Sequence, residues 1–592
     1  MTAPNETSNG LSKRLRRFGR NDQVILSVLS LVIGIAAGLA AIAFRETIDL
    51  VQWLSFGFRG ETVATHAGEL PWWHLLLVPS LGGLAVGLFI YYFMPERRPL
   101  GVPQVIEASA LHGGRMSLTA GIKAAVVSSA SIGFGASVGR EGPMVHLGAS
   151  LAAWVARRLH LGRSLSRTLL GCGVASAIAA SFNAPIAGVF FALEVVIGHY
   201  GLSAFAPIVI AGVTGTLVSR SYYGDVPAFV LPEEHVIASV LEFPAFALLG
   251  AVSALAAIIM MHSVFFAQDV LGKTKIPLWA RPAVGGLMVG AIACFYPEVL
   301  GVGYEATNAA LMEDHTLQLL LILVVAKTAA TALSLGAGFG GGVFSPSLFL
   351  GAMIGGAFGI IATEIFPHLS SGHGAYTMIG MGAVAGAVLG APISTILMIF
   401  ELTNDYKLTI AVMIATVIAS LITQALYGRS FFARQLERQG VTIKGGQDIG
   451  LLKAMTIESL MDRKFDTVAP DTPLPEVRQR LLEASYGELF VIDDGKLTGT
   501  IIFSDLRDSA VDTSHDDEWH AIHVARKHPA VLRAGDDLAT AVELFGASGE
   551  VHLPVVDNRD SGKLIGVAHE HEVVLAYHRA LQRLRDEERG EL

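Results

Sequence analysis

The sequence predicts an all-α polytopic membrane domain with two inverted repeats of tilted and broken helices, followed by a cytoplasmic α/β module. Three observations carry this expectation. Of 592 residues, 52% are hydrophobic and only 16% charged, with a mean hydropathy of +0.54, too apolar for an ordinary soluble protein of this length. A short text is written twice: Pro143, Leu147, Gly148, Ala149, Ala184, Pro185, Ile186 and Glu194 return as Pro346, Leu350, Gly351, Ala352, Ala391, Pro392, Ile393 and Glu401. The intervals are 203 residues for Pro143 and 207 for Pro185. From about residue 455 the chain turns polar, with short strands alternating with amphipathic helices.

Residues 1–22 read as a polar cytoplasmic tail. Lys13, Arg14, Arg16, Arg17 and Arg20 precede the first apolar run, and such a cluster stays on the cytoplasmic side. That run, 24–44, is long enough to span and has no small-residue cleavage site, so it is expected as a retained helix. Further spans are expected at 75–94, 202–218, 243–261, 319–335 and 409–427, with partial or tilted pieces at 120–138, 171–180 and 355–362. The membrane domain is therefore assigned to 23–430 and a linker containing Gly445, Gly446 and Gln447 to 431–454. Arg429, Arg434 and Arg438 mark the exit on the cytoplasmic side, which places both termini there and the protein in the cell membrane.

The polar part reads as two similar α/β halves, 455–512 and 525–580, with a tail at 581–592. In each, a stretch that ends in an amphipathic helix (468–483) or is a helix (538–545) leads to a strand (489–492, then 553–557), a turn, and a second strand (499–503, then 564–568) that opens into another helix. The formal charge of −9 falls largely here and implies no nucleic-acid partner. Cys172 and Cys294 are the only cysteines, so no disulfide framework or metal cluster follows from them, and His569, His571 and the neighbouring acids have the look of a metal tract that an exposed turn explains equally well.

Each membrane repeat opens on a glycine-rich break, Gly139-Arg140-Glu141-Gly142-Pro143 and then Gly341-Gly342-Val343-Phe344-Ser345-Pro346. An anion in a bilayer needs positive potential without a lysine that would trap it. Helix N-termini supply it through unpaired N–H groups and the positive dipole end. Glycine allows close approach, and proline in the first turn gives up an N–H that the helix does not use. The same glycines would also serve plain helix packing.

These breaks, together with the run 182–194 and Glu401-Leu402-Thr403-Asn404-Asp405-Tyr406, resemble the CLC family of voltage-gated chloride channels and chloride/proton exchangers in order and spacing. The α/β halves resemble tandem CBS domains, which often follow the membrane domain in that family. The resemblance implies a homodimer in the bilayer with one pathway per subunit for chloride or a similar small anion, and no enzymatic activity. It implies that Glu141 gates the pathway and that Gly142, Val343 and Phe344 bind the anion. Leu100 and Phe432 stand at the family's two anion-coordinating hydroxyl positions, so both hydroxyls would be missing and selectivity is left open. Val195 occupies the internal proton-transfer position, one residue after Glu194, which on an α-helix points about 100° away. That tilts the expectation toward passive conduction and leaves open an antiporter lacking the internal glutamate. Conduction needs no cofactor. An adenine nucleotide is the ligand implied for the CBS pair, with Asp505 and Glu572 at the ribose positions.

Two other classes fit less well. A cation transporter would line its path with several acidic side chains, whereas these motifs present backbone donors. Gly135-Ala136-Ser137-Val138-Gly139 matches the G-x-S-x-G of serine hydrolases but precedes no strand-to-helix elbow.

Overall fold

A computed structural model describes residues 22–225, 229, 237, 239–441, 455–506, 518–557 and 562–589. The basic tail and the glycine pair of the expected linker lie outside these residues. The chain divides into two compact units, residues 1–443 and 444–592.

Among the described residues the first unit is helical, and eight of its helical segments are long and apolar enough to cross a membrane. Its helices of seven residues or more run in order α1 Asp22–Phe56, α2 Trp72–Phe93, α3 Val102–Ala110, α4 Leu118–Gly133, α5 Glu141–Arg158, α6 Arg163–Phe182, α7 Pro185–Phe191, α8 Leu202–Tyr223 and α9 Phe243–Lys273. There follow α10 Arg281–Ala293, α11 Tyr304–Leu311, α12 Leu317–Ala337, α13 Phe344–Ile365, α14 His373–Leu389, α15 Pro392–Thr403, α16 Tyr406–Tyr427 and α17 Phe431–Arg438. The six expected spans fall in α1, α2, α8, α9, α12 and α16. The pieces expected to be partial at 171–180 and 355–362 instead belong to helices of spanning length, α6 and α13. Glycine dilutes hydropathy in a short window, yet both helices continue beyond it.

The repeat pairs α5 with α13, α6 with α14, α7 with α15 and α8 with α16. The α6 helix ends on Asn183 and α14 on Gly390, both left-handed (φ +59° and +67°), and Ala-Pro then starts the next helix in each case. A Cβ on Gly148 would lie 2.3 Å from the Gly173 carbonyl oxygen, and one on Gly351 would lie 2.3 Å from that of Gly380. Two helix crossings, α5 on α6 and α13 on α14, therefore need the same glycine at the same point of the repeat. The linker expected from residue 431 begins instead with α17, whose Phe431, Phe432 and Leu436 are buried in the first unit. Its basic residues mask an amphipathic helix that closes the membrane unit.

The second unit holds two mixed sheets. In one, β1 (Thr467–Val468) lies parallel to β2 (Glu488–Asp493), which pairs antiparallel with β3 (Lys496–Ile502), and β3 with β4 (Arg526–Lys527). In the other, β5 (Leu532–Arg533), β6 (His552–Val556) and β7 (Leu564–His569) repeat the first three. Helices α18 (Leu474–Glu483), α19 (Leu538–Ser548) and α20 (Glu570–Arg589) cover them. The halves meet where Phe490 packs with Leu564 and Val567.

Candidate anion pathway

The two glycine-rich breaks pair with each other. Gly139 N donates to Gly342 O at 2.7 Å and Gly342 N donates to Gly139 O at 2.8 Å, an isolated antiparallel bridge. This brings together the first turns of α5 and α13, whose leading N–H groups have no acceptor within their own helix. A Cβ on Gly139 would stand 2.9 Å from Glu141 Oε2 and 3.0 Å from Ser345 N, so the contact requires glycine.

Glu141, the first residue of α5, is fully buried. Ser345 Oγ donates to its carboxylate, 2.6 Å from each oxygen, and Tyr304 Oη donates to Oε1 at 3.1 Å. Arg140 is not its hydrogen-bond partner: Nε stands 3.9 Å from Oε1. The guanidinium instead donates to Glu61 at 3.1 Å and lies over the Tyr304 ring at 4.6 Å. A carboxylate thus occupies the point where two helix N-termini converge, and the neighbouring arginine hydrogen-bonds to Glu61 while its Nε stays within ion-pair distance of Glu141.

One cavity is lined by Glu141, Gly142, Val343, Phe344, Leu100 and Phe432. All the residues expected at the anion path therefore come from four separate parts of the chain to a single space. The Phe344 ring is held by Phe182 and Phe191, at 5.1 and 5.8 Å between centroids. Gln268 and Gln435 add amides to the wall, and Gln104 Oε1 accepts from Gly101 N at 2.8 Å, fixing the loop that carries Leu100.

Glu194 and Val195 lie in a π-helical segment, Ala192–Ile197, rather than in the α-helix assumed for the 100° separation. Bonding to the fifth residue widens the turn, so the step between them is smaller than 100°. Both line a second cavity that shares Phe432 with the first. The Glu194 carboxylate accepts from Ile393 N at 3.1 Å and from Ser394 N at 2.8 Å, which ties it to the start of α15.

In the second unit, Asp505 Oδ2 accepts from Ile502 N at 2.9 Å and Oδ1 from Arg526 Nε at 2.7 Å. Arg526 also donates to Glu550 at 2.8 Å. Burial and the nearby Glu550 carboxylate push Glu488 up to about 7, and His552 Nδ1 stands 3.4 Å from it. Glu572 is exposed on the first turn of α20, as is His571. His569 packs on Tyr486 at 4.3 Å between centroids. The two expected ribose carboxylates thus differ: one is held by an arginine, the other is open to solvent.

Sequence reasoning missed Ser345, Tyr304, Gln268, Gln435 and Arg526. Ser345 lay inside a motif already singled out, and Tyr304 follows the Gly301-Val302-Gly303 run. Only the fold shows that both reach Glu141.

The model of the voltage gated chloride channel family matches residues 82–424, and that of the CBS domain matches 457–512 and 521–579. A ClcB-like protein of Ralstonia nicotianae is 35% identical over 411 residues, 69% of this chain and 95% of that protein. Among solved structures, a eukaryotic CLC transporter superposes with a TM-score of 0.62 at 20% identity, over 92% of this chain and 97% of its own. A slow cyanobacterial Cl−/H+ antiporter superposes with a TM-score of 0.63 at 20% identity, over 70% of this chain and 97% of its own. At such identity these structures establish the fold alone. A family whose model spans most of the helical unit, and whose members are channels or transporters rather than enzymes, accounts for the paired breaks and the cavity between them: the chain is a multi-pass membrane protein of the voltage gated chloride channel (CLC) family with tandem CBS domains.

Proposed function

We propose that the protein conducts chloride or a similar small anion passively and that Glu141 is the gate. The observation that carries this reading is the buried Glu141 carboxylate between the N-termini of α5 and α13, inside the cavity that Gly142, Val343, Phe344, Leu100 and Phe432 line. A carboxylate there mimics the permeant anion, and only one of the two can hold the position. Passive conduction is favoured because Val195 carries no proton and Glu194 is engaged at α15. Chloride/proton exchange is the second reading, favoured by the cavity beside Val195 that reaches Phe432, where water would replace a side-chain relay.

The reading includes a homodimer in the cell membrane with both termini cytoplasmic, and regulation by an adenine nucleotide at the CBS pair through Asp505 and Glu572. The test of the gate is anion efflux from liposomes. Glu141→Ala should conduct faster than wild type and at a rate independent of pH. A variant that keeps the wild-type pH dependence overturns the assignment.

A further inference from the structure

We propose that Ser345 and Tyr304 form a two-hydroxyl latch that holds Glu141 in the pathway and so limits resting conduction. The inference rests on the reading of Glu141 as the gate.

Ser345 is 1% exposed and sits on the first turn of α13, in the repeat opposite to the one that carries Glu141. Its single hydroxyl proton faces two carboxylate oxygens at equal distance, 2.6 Å. It therefore follows the carboxylate through a small rotation without losing the bond. Tyr304 supplies the second donor from a third element, α11.

Tyr304 is itself held in place. Lys327, buried on α12, donates to Val299 O and Gly301 O, both at 3.0 Å, which ties down the loop that delivers Tyr304. The ring is covered by Arg140 at 4.6 Å and by Phe229 at 4.8 Å. For Glu141 to leave, both hydroxyl bonds must break at a buried carboxylate, where bonds to a charged group are strong.

Each donor is removable without a large change of volume. In liposomes at neutral pH, Ser345→Ala should raise anion efflux about tenfold. Tyr304→Phe, which breaks a longer bond, should raise it about threefold. Ser345→Thr keeps a hydroxyl and should rescue closure. In a Glu141→Ala background, neither Ser345→Ala nor Tyr304→Phe should change efflux further, because nothing remains to be latched. If Glu141→Ala raises efflux while Ser345→Ala and Tyr304→Phe leave it at the wild-type rate, the latch is refuted and the gate stands. The latch is equally refuted if Ser345→Ala changes efflux by the same factor with and without Glu141, since the serine would then act on the anion or the helix. If Glu141→Ala itself leaves efflux unchanged, the gate reading falls.

Discussion

Glu194 and Glu401 cap each other's half of the membrane unit. Glu194 reaches across to Ile393 N and Ser394 N at the start of α15, and Glu401 accepts from Ile186 N at 2.8 Å and Ala187 N at 2.7 Å at the start of α7. Each carboxylate thus ends one repeat and satisfies the orphan donors of the other. Replacing either by Ala leaves two N–H groups without an acceptor, a loss of about 1–3 kcal/mol. Glu194→Ala and Glu401→Ala should lower the thermal midpoint of the purified protein in detergent by similar amounts. A midpoint unmoved in either variant contradicts the capping role.

This pair also shows what the sequence made legible. The duplication, six of the spanning helices and the four longer strands of the second unit, β2, β3, β6 and β7, follow from periodicity, Pro-Gly punctuation and spacing, because those are local signals. Glu194 and Glu401 were visible as repeated residues, but their partners lie in the opposite repeat, and only association of the halves creates the bonds. The same holds for Ser345 and Tyr304 at Glu141, and for Arg526 at Asp505. The π-helical turn at Ala192–Ile197 gives no composition signal at all, which is why the angle between Glu194 and Val195 was misjudged.

Anion selectivity should be loose. The cavity wall carries Leu100 and Phe432, neither with a hydroxyl, and the backbone N–H groups at Val343 and Phe344 respond to charge more than to shape. Nitrate and bromide should permeate about as readily as chloride in bi-ionic liposome measurements. Leu100→Ser should move the ranking toward chloride. A ranking that stays put means that Leu100 does not meet the ion.

Nucleotide binding should depend unequally on the two carboxylates. Asp505 is oriented by Arg526 and Ile502 N, and on the proposed reading its remaining lone pairs would accept from a pair of ribose hydroxyls, whereas Glu572 is exposed. Calorimetry with adenine nucleotides should show Asp505→Ala weakening binding about tenfold or more, two charge-assisted bonds being removed. Glu572→Ala should weaken it less. The absence of heat with AMP, ADP and ATP would leave the CBS pair a structural role.

Stability of the CBS unit should fall as pH rises toward neutrality because of Glu488. Its folded-state value, pushed up to about 7 by burial and Glu550, exceeds the ordinary carboxylate value near 4.5. Its stabilising contribution is therefore fully present below about 4.5 and is lost as pH rises through about 7. Burial holds the adjacent His552 below its usual value, which works in the opposite sense, so the comparison must be made against Glu488→Gln. Denaturant unfolding should show the variant gaining about 1–3 kcal/mol on wild type at pH 8 and little at pH 4. A wild-type curve parallel to that of Glu488→Gln would contradict the assignment.

Proton coupling should be weak or absent. Carrying a proton to Glu141 through an apolar interior needs a chain of groups that take it up and pass it on, since an isolated charge there is costly. Val195 offers none, and the Glu194 carboxylate already accepts bonds from Ile393 N and Ser394 N. What remains is the cavity lined by Glu194, Val195 and Phe432, which has Phe432 in common with the cavity around Glu141. Water would have to cross at Phe432 for protons to pass. In liposomes a chloride gradient should therefore drive little uphill proton movement, and the reversal potential should follow chloride alone when a proton gradient is imposed. Stoichiometric proton pumping that Glu141→Ala abolishes would overturn passive conduction and make the water path beside Phe432 the proton route. Phe432→Trp, which would fill that path, should then slow protons more than chloride.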